Sequence, residues 1–200
     1  MSNKVILLLA FFEGISVMII ELIGGKMLIP YFGNSLIIWT STIGVTMSSL
    51  MVGYYLGGYL SMRKNKLSYL YGLITLSAFW IIIMPSIIFP IIQHFGDSNL
   101  HTASILSSIS LFAFPLVLLG ATPAILIEKL TTEKNAGISS GKIFFTSTVG
   151  AILSALITGF FIITKYGLSS PLIIYGMILF VATTILLWKV FNDKIFFFII

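Results

Sequence analysis

Six stretches of the chain are each apolar over about 20 residues or more, the length that an α-helix needs to cross a membrane. They run from Val5 to about Leu28, Leu36 to about Leu60, about Leu67 to Ile92, Ala103 to about Ile127, Ile143 to Ile163 and Pro171 to about Trp188. Of the 200 residues, 58% are hydrophobic and only 8% are charged, whereas a soluble domain has about 25% charged residues. The sequence therefore predicts an all-α integral membrane protein with the lipid bilayer as its surroundings.

The connections between the six spans are short, and none has room for a soluble domain. Residues 1–200 are therefore predicted to form a single transmembrane helical domain. The chain has no cysteine, which excludes disulfides and thiolate metal sites. Its net charge of +5 is spread thinly, without a basic run interleaved with aromatic residues, so no nucleic-acid partner is expected.

The basic residues are distributed unevenly between the two ends of the spans. If the N-terminus is inside the cell, nine of them fall on the inner side and two, Lys26 and Lys165, on the outer side. The inner residues are Lys4, Arg63, Lys64, Lys66, Lys129, Lys134, Lys142, Lys189 and Lys194. Because inner loops carry the excess of Lys and Arg, we predict an inner-membrane protein with both termini in the cytoplasm.

One segment of the chain occurs twice. The sequence "WTSTIGVTMSSLMVGY" from Trp39 aligns without a gap with "FTSTVGAILSALITGF" from Phe145, at a constant offset of 106 residues. Seven of the sixteen positions are identical, most of them Thr, Ser or Gly rather than Leu or Ile. The two copies fall on spans two and five, which predicts a duplicated unit of three helices.

An odd number of spans per unit means that the second unit enters the membrane from the opposite side. We therefore predict two inverted three-helix repeats, about 5–92 and 103–188, resembling half of a major facilitator fold. Small residues in and around the repeated segment predict close helix packing. They are Gly44, Ser48, Gly53 and Gly57 on span two and Gly150, Ser154 and Gly159 on span five. Two roles are possible for these residues: they pack helices together, or they pack helices together and also line a cavity.

Two acidic residues, Glu13 and Glu21, lie within the first span. An acidic residue near the centre of a membrane helix costs about 2.5–3.5 kcal/mol on insertion scales, so it is usually paired or functional. Lys26 is the expected local counter-ion of Glu21. The candidate substrate-binding set consists of Glu13, Glu21 and Lys26, together with Trp39 and Thr40 at the start of the repeated segment. A buried structural carboxylate, bonded to Ser or Thr of spans two and five, is the alternative for each acid.

The remaining polar residues give weaker signals. His94 and His101 flank an outer loop that contains Asp97, but a solvated loop is the better interpretation, and we predict no metal site. No nucleophile–base arrangement and no phosphate-binding loop are present, so no catalytic residue and no cofactor are predicted. Gly24 and Gly25 are expected to end the first helix in a turn before Pro30. The prolines of spans three and four, among them Pro115 and Pro123, mark kinks.

The stretch from Glu21 to Leu60 resembles the transmembrane domain of fused transporter/spermidine synthases. The similarity rests on Glu21, Lys26, "PYFG" from Pro30, Trp39 and "GYYLGG" from Gly53, and later on "GATPAIL" from Gly120. In that family a soluble methyltransferase-like domain follows, with the residues that bind the aminopropyl donor and the polyamine. This chain ends at Ile200 before any such domain. The resemblance therefore implies the membrane part alone, and we predict that the chain is not itself an enzyme.

Two functions are consistent with these features. The first is a membrane subunit or anchor that works with a separate, soluble aminopropyltransferase-like protein. The second is a small transporter of a polyamine or another cation, which would act as a homodimer because six helices are half of a major facilitator fold.

Overall fold

The computed structural model describes residues 2–132 and 135–199; of residues 191 and 193–199 only the backbone is described. Six helices in these ranges are long and apolar enough to cross a membrane, which confirms the six predicted spans. They are α1 (Asn3–Phe32), α2 (Leu36–Ser61), α3 (Lys66–Phe95), α4 (Leu100–Leu130), α5 (Ala136–Tyr166) and α6 (Ser169–Ile199). No strand occurs in the described ranges. Lys134, one of the predicted inner cations, lies outside the described residues.

The first helix is longer than the sequence predicts. Gly24 and Gly25 lie inside α1, which ends at Phe32 and is followed by Gly33 with a φ of 79°. The predicted helix end at Gly24 is therefore wrong. The helix continues because a break here would leave backbone groups without hydrogen-bond partners in an apolar environment. The two glycines serve packing instead: a Cβ on Gly25 would lie 3.2 Å from the Thr42 side chain of α2.

The six helices associate mainly in three pairs. α1 packs along α5, α2 along α4, and α3 along α6. Two clusters of buried apolar side chains fill the interior: one includes Ile23, Met84 and Phe112, and the other includes Ile6, Ile74 and Ile125. Because the helices are apolar all round, their sequences do not show which face is turned to the core and which to lipid.

The prolines of spans three and four lie within helices, and one of them, Pro115, follows an irregular turn. There α4 contains a π-helical turn, Ile109–Ala113, whereas the helices continue through Pro85, Pro90 and Pro123. The Trp80 indole of α3 donates a hydrogen bond of 2.9 Å to the Leu111 carbonyl in this turn. A side chain from a neighbouring helix thus satisfies a backbone group in the irregular segment. A second π-helical turn, Thr158–Ile162, lies in α5.

Two of the helix pairs approach each other through glycine. In what we call the α1/α5 seam, a Cβ added to Gly14 would overlap the Ser147 carbonyl, and one added to Gly150 would overlap the Phe11 carbonyl. In the α2/α4 seam, a Cβ on Gly57 would overlap the Ala121 carbonyl. Gly53 packs in the same seam. The backbones are in direct contact at these points, as is usual where glycine lines a membrane-helix interface.

Candidate functional site

Glu13 lies in the α1/α5 seam. Its side chain is buried, and the Ser147 hydroxyl of α5 donates a hydrogen bond of 2.6 Å to its Oε2 atom. The next residue, Gly14, has no side chain to hold the Ser147 backbone away, so the glycine brings the hydroxyl within reach of the acid. The contact matches the structural alternative for Glu13, an acid bonded to a serine of span five.

A second polar contact ties α6 to α1 beside Glu13. The Tyr175 hydroxyl lies 2.7 Å from Ser16 Oγ and donates to the Phe12 carbonyl over 3.1 Å. Ser16 Oγ also donates to the Phe12 carbonyl, at 2.7 Å. Hydroxyls from α1, α5 and α6 therefore lie together beside Glu13, the one buried acid among the described residues.

Glu21 and Lys26 do not join this cluster. Both are half-buried, and they form no ion pair with each other; in the described ranges the ion pair is Lys66–Glu128, between the start of α3 and the end of α4. Glu21 lies eight residues after Glu13, about 12 Å further along α1. The candidate acids are therefore placed at two separate levels of the membrane.

Trp39 and Thr40 lie in the first two turns of α2 but face different surroundings. The Trp39 indole donates a hydrogen bond of 3.0 Å to Asn34 Oδ1, and its ring approaches α1 at Gly25. Thr40 is exposed and lines a groove of about 690 Å³ between the first halves of α2 and α4. The structure does not bring the five candidate binding residues into one cavity.

The α2/α4 groove is apolar with a few hydroxyls. Its α2 wall includes Thr40, Gly44 and Ser48, and its α4 wall includes Ile109 and Val117, with His101 at its end. No acidic residue, Lys or Arg lines it. Such a lining suits an apolar occupant that can form hydrogen bonds, and it offers no counter-charge to a cation.

The predicted packing residues divide between the seams and open positions. Those in direct contact with a neighbouring helix are Gly53, Gly57, Gly150 and Ser154, whose hydroxyl donates to the Ile15 carbonyl over 3.3 Å. Gly44 and Ser48 line the groove instead, and a Cβ on Gly44 or on Gly159 would meet no atom within 4 Å. The sequence reasoning missed Tyr175, although a lone tyrosine inside the apolar run "PLIIYGMILF" was a usable signal.

Comparison with known proteins gives one significant similarity to a curated protein. The chain is 23% identical over 186 residues to "Polyamine aminopropyltransferase 2" of Aquifex aeolicus (strain VF5). The alignment covers 93% of this chain and 36% of the relative, so the chain spans about a third of the relative's length. No protein-family model and no solved structure matches the chain.

This similarity supports the predicted spermidine synthase-like relationship and corrects one prediction. The chain was expected not to be an enzyme, because it ends before the catalytic domain of the family it resembles. The relative is named as an aminopropyltransferase, which is an enzyme, and this contradicts the prediction.

Proposed function

We propose that this chain is the membrane part of a polyamine aminopropyltransferase-like system and holds a soluble catalytic protein at the inner membrane. The observation that carries the proposal is the similarity to a polyamine aminopropyltransferase along 93% of a chain whose helices are of membrane-spanning length. The excess of Lys and Arg on one side supports an orientation with both termini, and the docked protein, in the cytoplasm.

The surroundings of the acids favour this membrane-subunit role over solute binding. Glu13 is buried and bonded to Ser147, so its side chain is engaged in a contact within the α1/α5 seam. Among the described residues, no acidic side chain lines the α2/α4 groove. A subunit that positions another protein needs a stable helical bundle rather than a charged cavity.

The test is to follow aminopropyl transfer in fractionated cells of the native host. With the chain present, transfer from an aminopropyl donor to a diamine is expected to sediment with membranes. Deletion of the chain is expected to move this activity into the soluble fraction or abolish it, and Glu21→Gln is expected to leave it with the membranes. Activity that is soluble whether or not the chain is present would contradict the proposal.

A small transporter of a polyamine or another cation, acting as a homodimer, is the second candidate. Its support is the symmetry of the helix contacts. Exchanging α1 with α4, α2 with α5 and α3 with α6 leaves the set of three main helix pairs unchanged. That is the pattern expected of two inverted repeats in half of a major facilitator fold.

Individual contacts follow the same exchange. Three close contacts of the α1/α5 seam have counterparts in the α2/α4 seam: Phe11–Gly150 corresponds to Val117–Gly53, Gly14–Ser147 to Gly120–Leu50, and Ile15–Ser154 to Ala121–Gly57. The α1 and α4 residues differ by 106 in number. The α2 and α5 residues differ by 97, nine fewer than the offset of the repeated sequence. The contacts thus support a duplication. They match α2 to α5 at a difference of 97 residues, whereas the sequence alignment matches the two helices at 106.

Uptake of a labelled polyamine into liposomes that contain the purified chain tests the transporter. The expected result is uptake that falls sharply in Glu21→Gln, since a cationic solute needs an anionic partner in the membrane. A matched control is Glu128→Gln, at the end of α4, which leaves the acids of α1 intact. Absence of uptake, or uptake unaffected by Glu21→Gln, would exclude this candidate while leaving the membrane-subunit proposal standing.

A further inference from the structure

We propose that Glu13 is a proton-binding site: its carboxyl holds a proton in the assembled bundle and releases it only when α6 changes its contact with α1. The side chain is 6% exposed and lies about 15 Å along α1 from the first residue of the helix, Asn3. An ionised carboxylate in such surroundings needs a cation or several hydrogen-bond donors. Without them the carboxyl is stable in its neutral, protonated form.

The Glu13 carboxyl has no counter-charge among the described residues. The ion pair of the described ranges lies elsewhere, between the start of α3 and the end of α4. Lys4 of α1 and Lys142 of α5 are exposed, and each lies more than a full turn closer to the start of its helix than the contact between Glu13 and Ser147. The hydrogen bond from Ser147 is the one that the described residues give to this carboxyl, and it carries no charge.

Helix packing does not account for the acid. The α2/α4 seam has the same close contacts as the α1/α5 seam, and there Leu119 takes the place of Glu13. Leu50 takes the place of Ser147, and both leucines are buried. Two apolar side chains thus complete an equally close approach of two helices. An acid is costly within a membrane helix, and one that the packing does not need is by default a functional group.

Three hydroxyls near Glu13 are the donors that an ionised carboxylate would require. Ser147 already donates to Oε2. Ser16 lies one turn further along the same side of α1, and Tyr175 of α6 lies within electrostatic range of Glu13. These two hydroxyls have other partners: Ser16 donates to the Phe12 carbonyl over 2.7 Å, and the Tyr175 hydroxyl lies 2.7 Å from Ser16 Oγ and 3.1 Å from the same carbonyl oxygen.

Loss of the proton is therefore coupled to the contact between α6 and α1. When the O–H bond of the Glu13 carboxyl breaks, its electron pair stays on the carboxylate and the proton passes to water. The negative charge then draws the Ser16 and Tyr175 hydroxyls away from the Phe12 carbonyl, which loosens the attachment of α6. Tyr54 of α2 is the other titratable group within electrostatic range among the described residues, and a phenol supplies no positive charge.

Infrared spectroscopy of the full chain in an ester-free detergent tests the site directly, because carboxylic acids and carboxylates absorb at different frequencies. At neutral pH, Glu13→Gln is expected to lose a carboxylic acid band relative to the wild type. The matched control is Asp97→Asn, which changes an exposed carboxyl and is expected to lose carboxylate bands. Loss of carboxylate bands in Glu13→Gln would overturn the proposal. An acid band that sodium converts to carboxylate would also overturn it, since the site would then bind a metal cation.

The pH dependence of unfolding tests the linkage between the proton and the fold. An acid that is neutral in the folded chain and ionised in the unfolded chain takes up one proton on folding, so stability falls as the pH rises. The unfolding equilibrium constant is expected to increase by up to about tenfold per pH unit from this group. Glu13→Gln is expected to lose that increase, and Asp97→Asn is expected to keep it. Equal slopes in the wild type and Glu13→Gln would refute the proposal.

Tyr175→Phe tests the part played by α6. This variant lacks one of the donors that could receive the charge, so the carboxylic acid band is expected to persist to higher pH than in the wild type. Tyr55→Phe, at an exposed position of α2, is expected to match the wild type. If Tyr175→Phe leaves the titration of the band unchanged, the coupling of the proton to α6 is refuted. None of these outcomes depends on whether polyamine chemistry is assigned correctly.

Discussion

The α1/α5 seam and the α2/α4 seam share corresponding close contacts, but the first contains a polar pair where the second contains two apolar residues. In the first, the acid of Glu13 accepts a hydrogen bond from Ser147. In the second, the corresponding positions are Leu119 and Leu50, which are both buried and apolar. Direct backbone contact through glycine is therefore achieved with and without a polar pair. The glycines set how closely the helices approach, and the acid adds a feature that the packing does not require.

The repeated segment also has different surroundings in its two copies. On α5, Gly150 and Ser154 lie within the α1/α5 seam, whereas on α2 the residues aligned with them, Gly44 and Ser48, line the α2/α4 groove. One short sequence thus contributes to folding in one place and leaves a surface free in the other. The same substitution in the two copies should therefore have different effects.

The largest expected effect is that of a leucine at Gly150, compared with a leucine at Gly44, the glycine that aligns with it in the repeated sequence. Gly150→Leu places a side chain where the Phe11 backbone lies, so we expect a loss of about 3 kcal/mol or more in the free energy of unfolding. At Gly44 an added Cβ would meet no atom within 4 Å, so Gly44→Leu is expected to change the free energy of unfolding by less than about 0.5 kcal/mol. Reversible unfolding in detergent, at equal and low protein concentration for the two variants, measures both. Equal losses would show that the two copies are packed alike.

The next largest effect is expected at the hydrogen-bonded pair of Glu13 and Ser147. Ser147→Ala leaves the Glu13 carboxyl without its donor and is expected to cost about 1–3 kcal/mol. Glu13→Leu combined with Ser147→Ala makes this seam resemble the α2/α4 seam and should be nearly neutral, because both partners are replaced by apolar groups. A double-mutant cycle on unfolding free energies gives the coupling. If the double variant is as unstable as the sum of the single ones, the pair does not act through this hydrogen bond.

A smaller effect is expected where α6 joins the polar side of the α1/α5 seam. Tyr175→Phe removes a hydroxyl that lies within hydrogen-bond distance of Ser16 Oγ and of the Phe12 carbonyl oxygen, at an expected cost of about 0.5–1.5 kcal/mol. Tyr55→Phe is the control, because Tyr55 is 82% exposed on α2. Unfolding of the two variants under the same conditions checks the prediction. If the two variants have the same free energy of unfolding, the Tyr175 hydroxyl of α6 does not contribute to stability, and the stabilising polar contacts are those between α1 and α5.

The spans could be predicted from sequence because crossing a membrane depends on length and composition alone. Local turn signals were less reliable: Gly24 and Gly25 suggested a helix end, but in lipid every backbone group needs a partner, so the helix continues through them. Some glycines did predict packing: Gly53, Gly57 and Gly150 lie at contacts between helices.

The candidate site was harder to predict than the fold. Glu13 is recognisable as an unusual residue, but its partner Ser147 is 134 positions away in sequence, and helices that are apolar all round do not reveal which faces meet. The relative register of α2 and α5 was equally hidden, because a sequence match of small residues at an offset of 106 does not place those residues in matching contacts. Packing between helices decides both.

The smallest expected effect tests whether hydroxyls or backbone contacts hold the seams together. Ser154 in the α1/α5 seam corresponds to Gly57 in the α2/α4 seam, which has no hydroxyl at all. Because the Ser154 bond to the Ile15 carbonyl is long, at 3.3 Å, Ser154→Ala is expected to cost only about 0.6 kcal/mol. Ser48→Ala is the control and should leave the monomer unchanged. A loss well above 1 kcal/mol in Ser154→Ala would mean that the α1/α5 seam depends on its hydroxyls where the α2/α4 seam depends on glycine, and the two seams would then be stabilised in different ways.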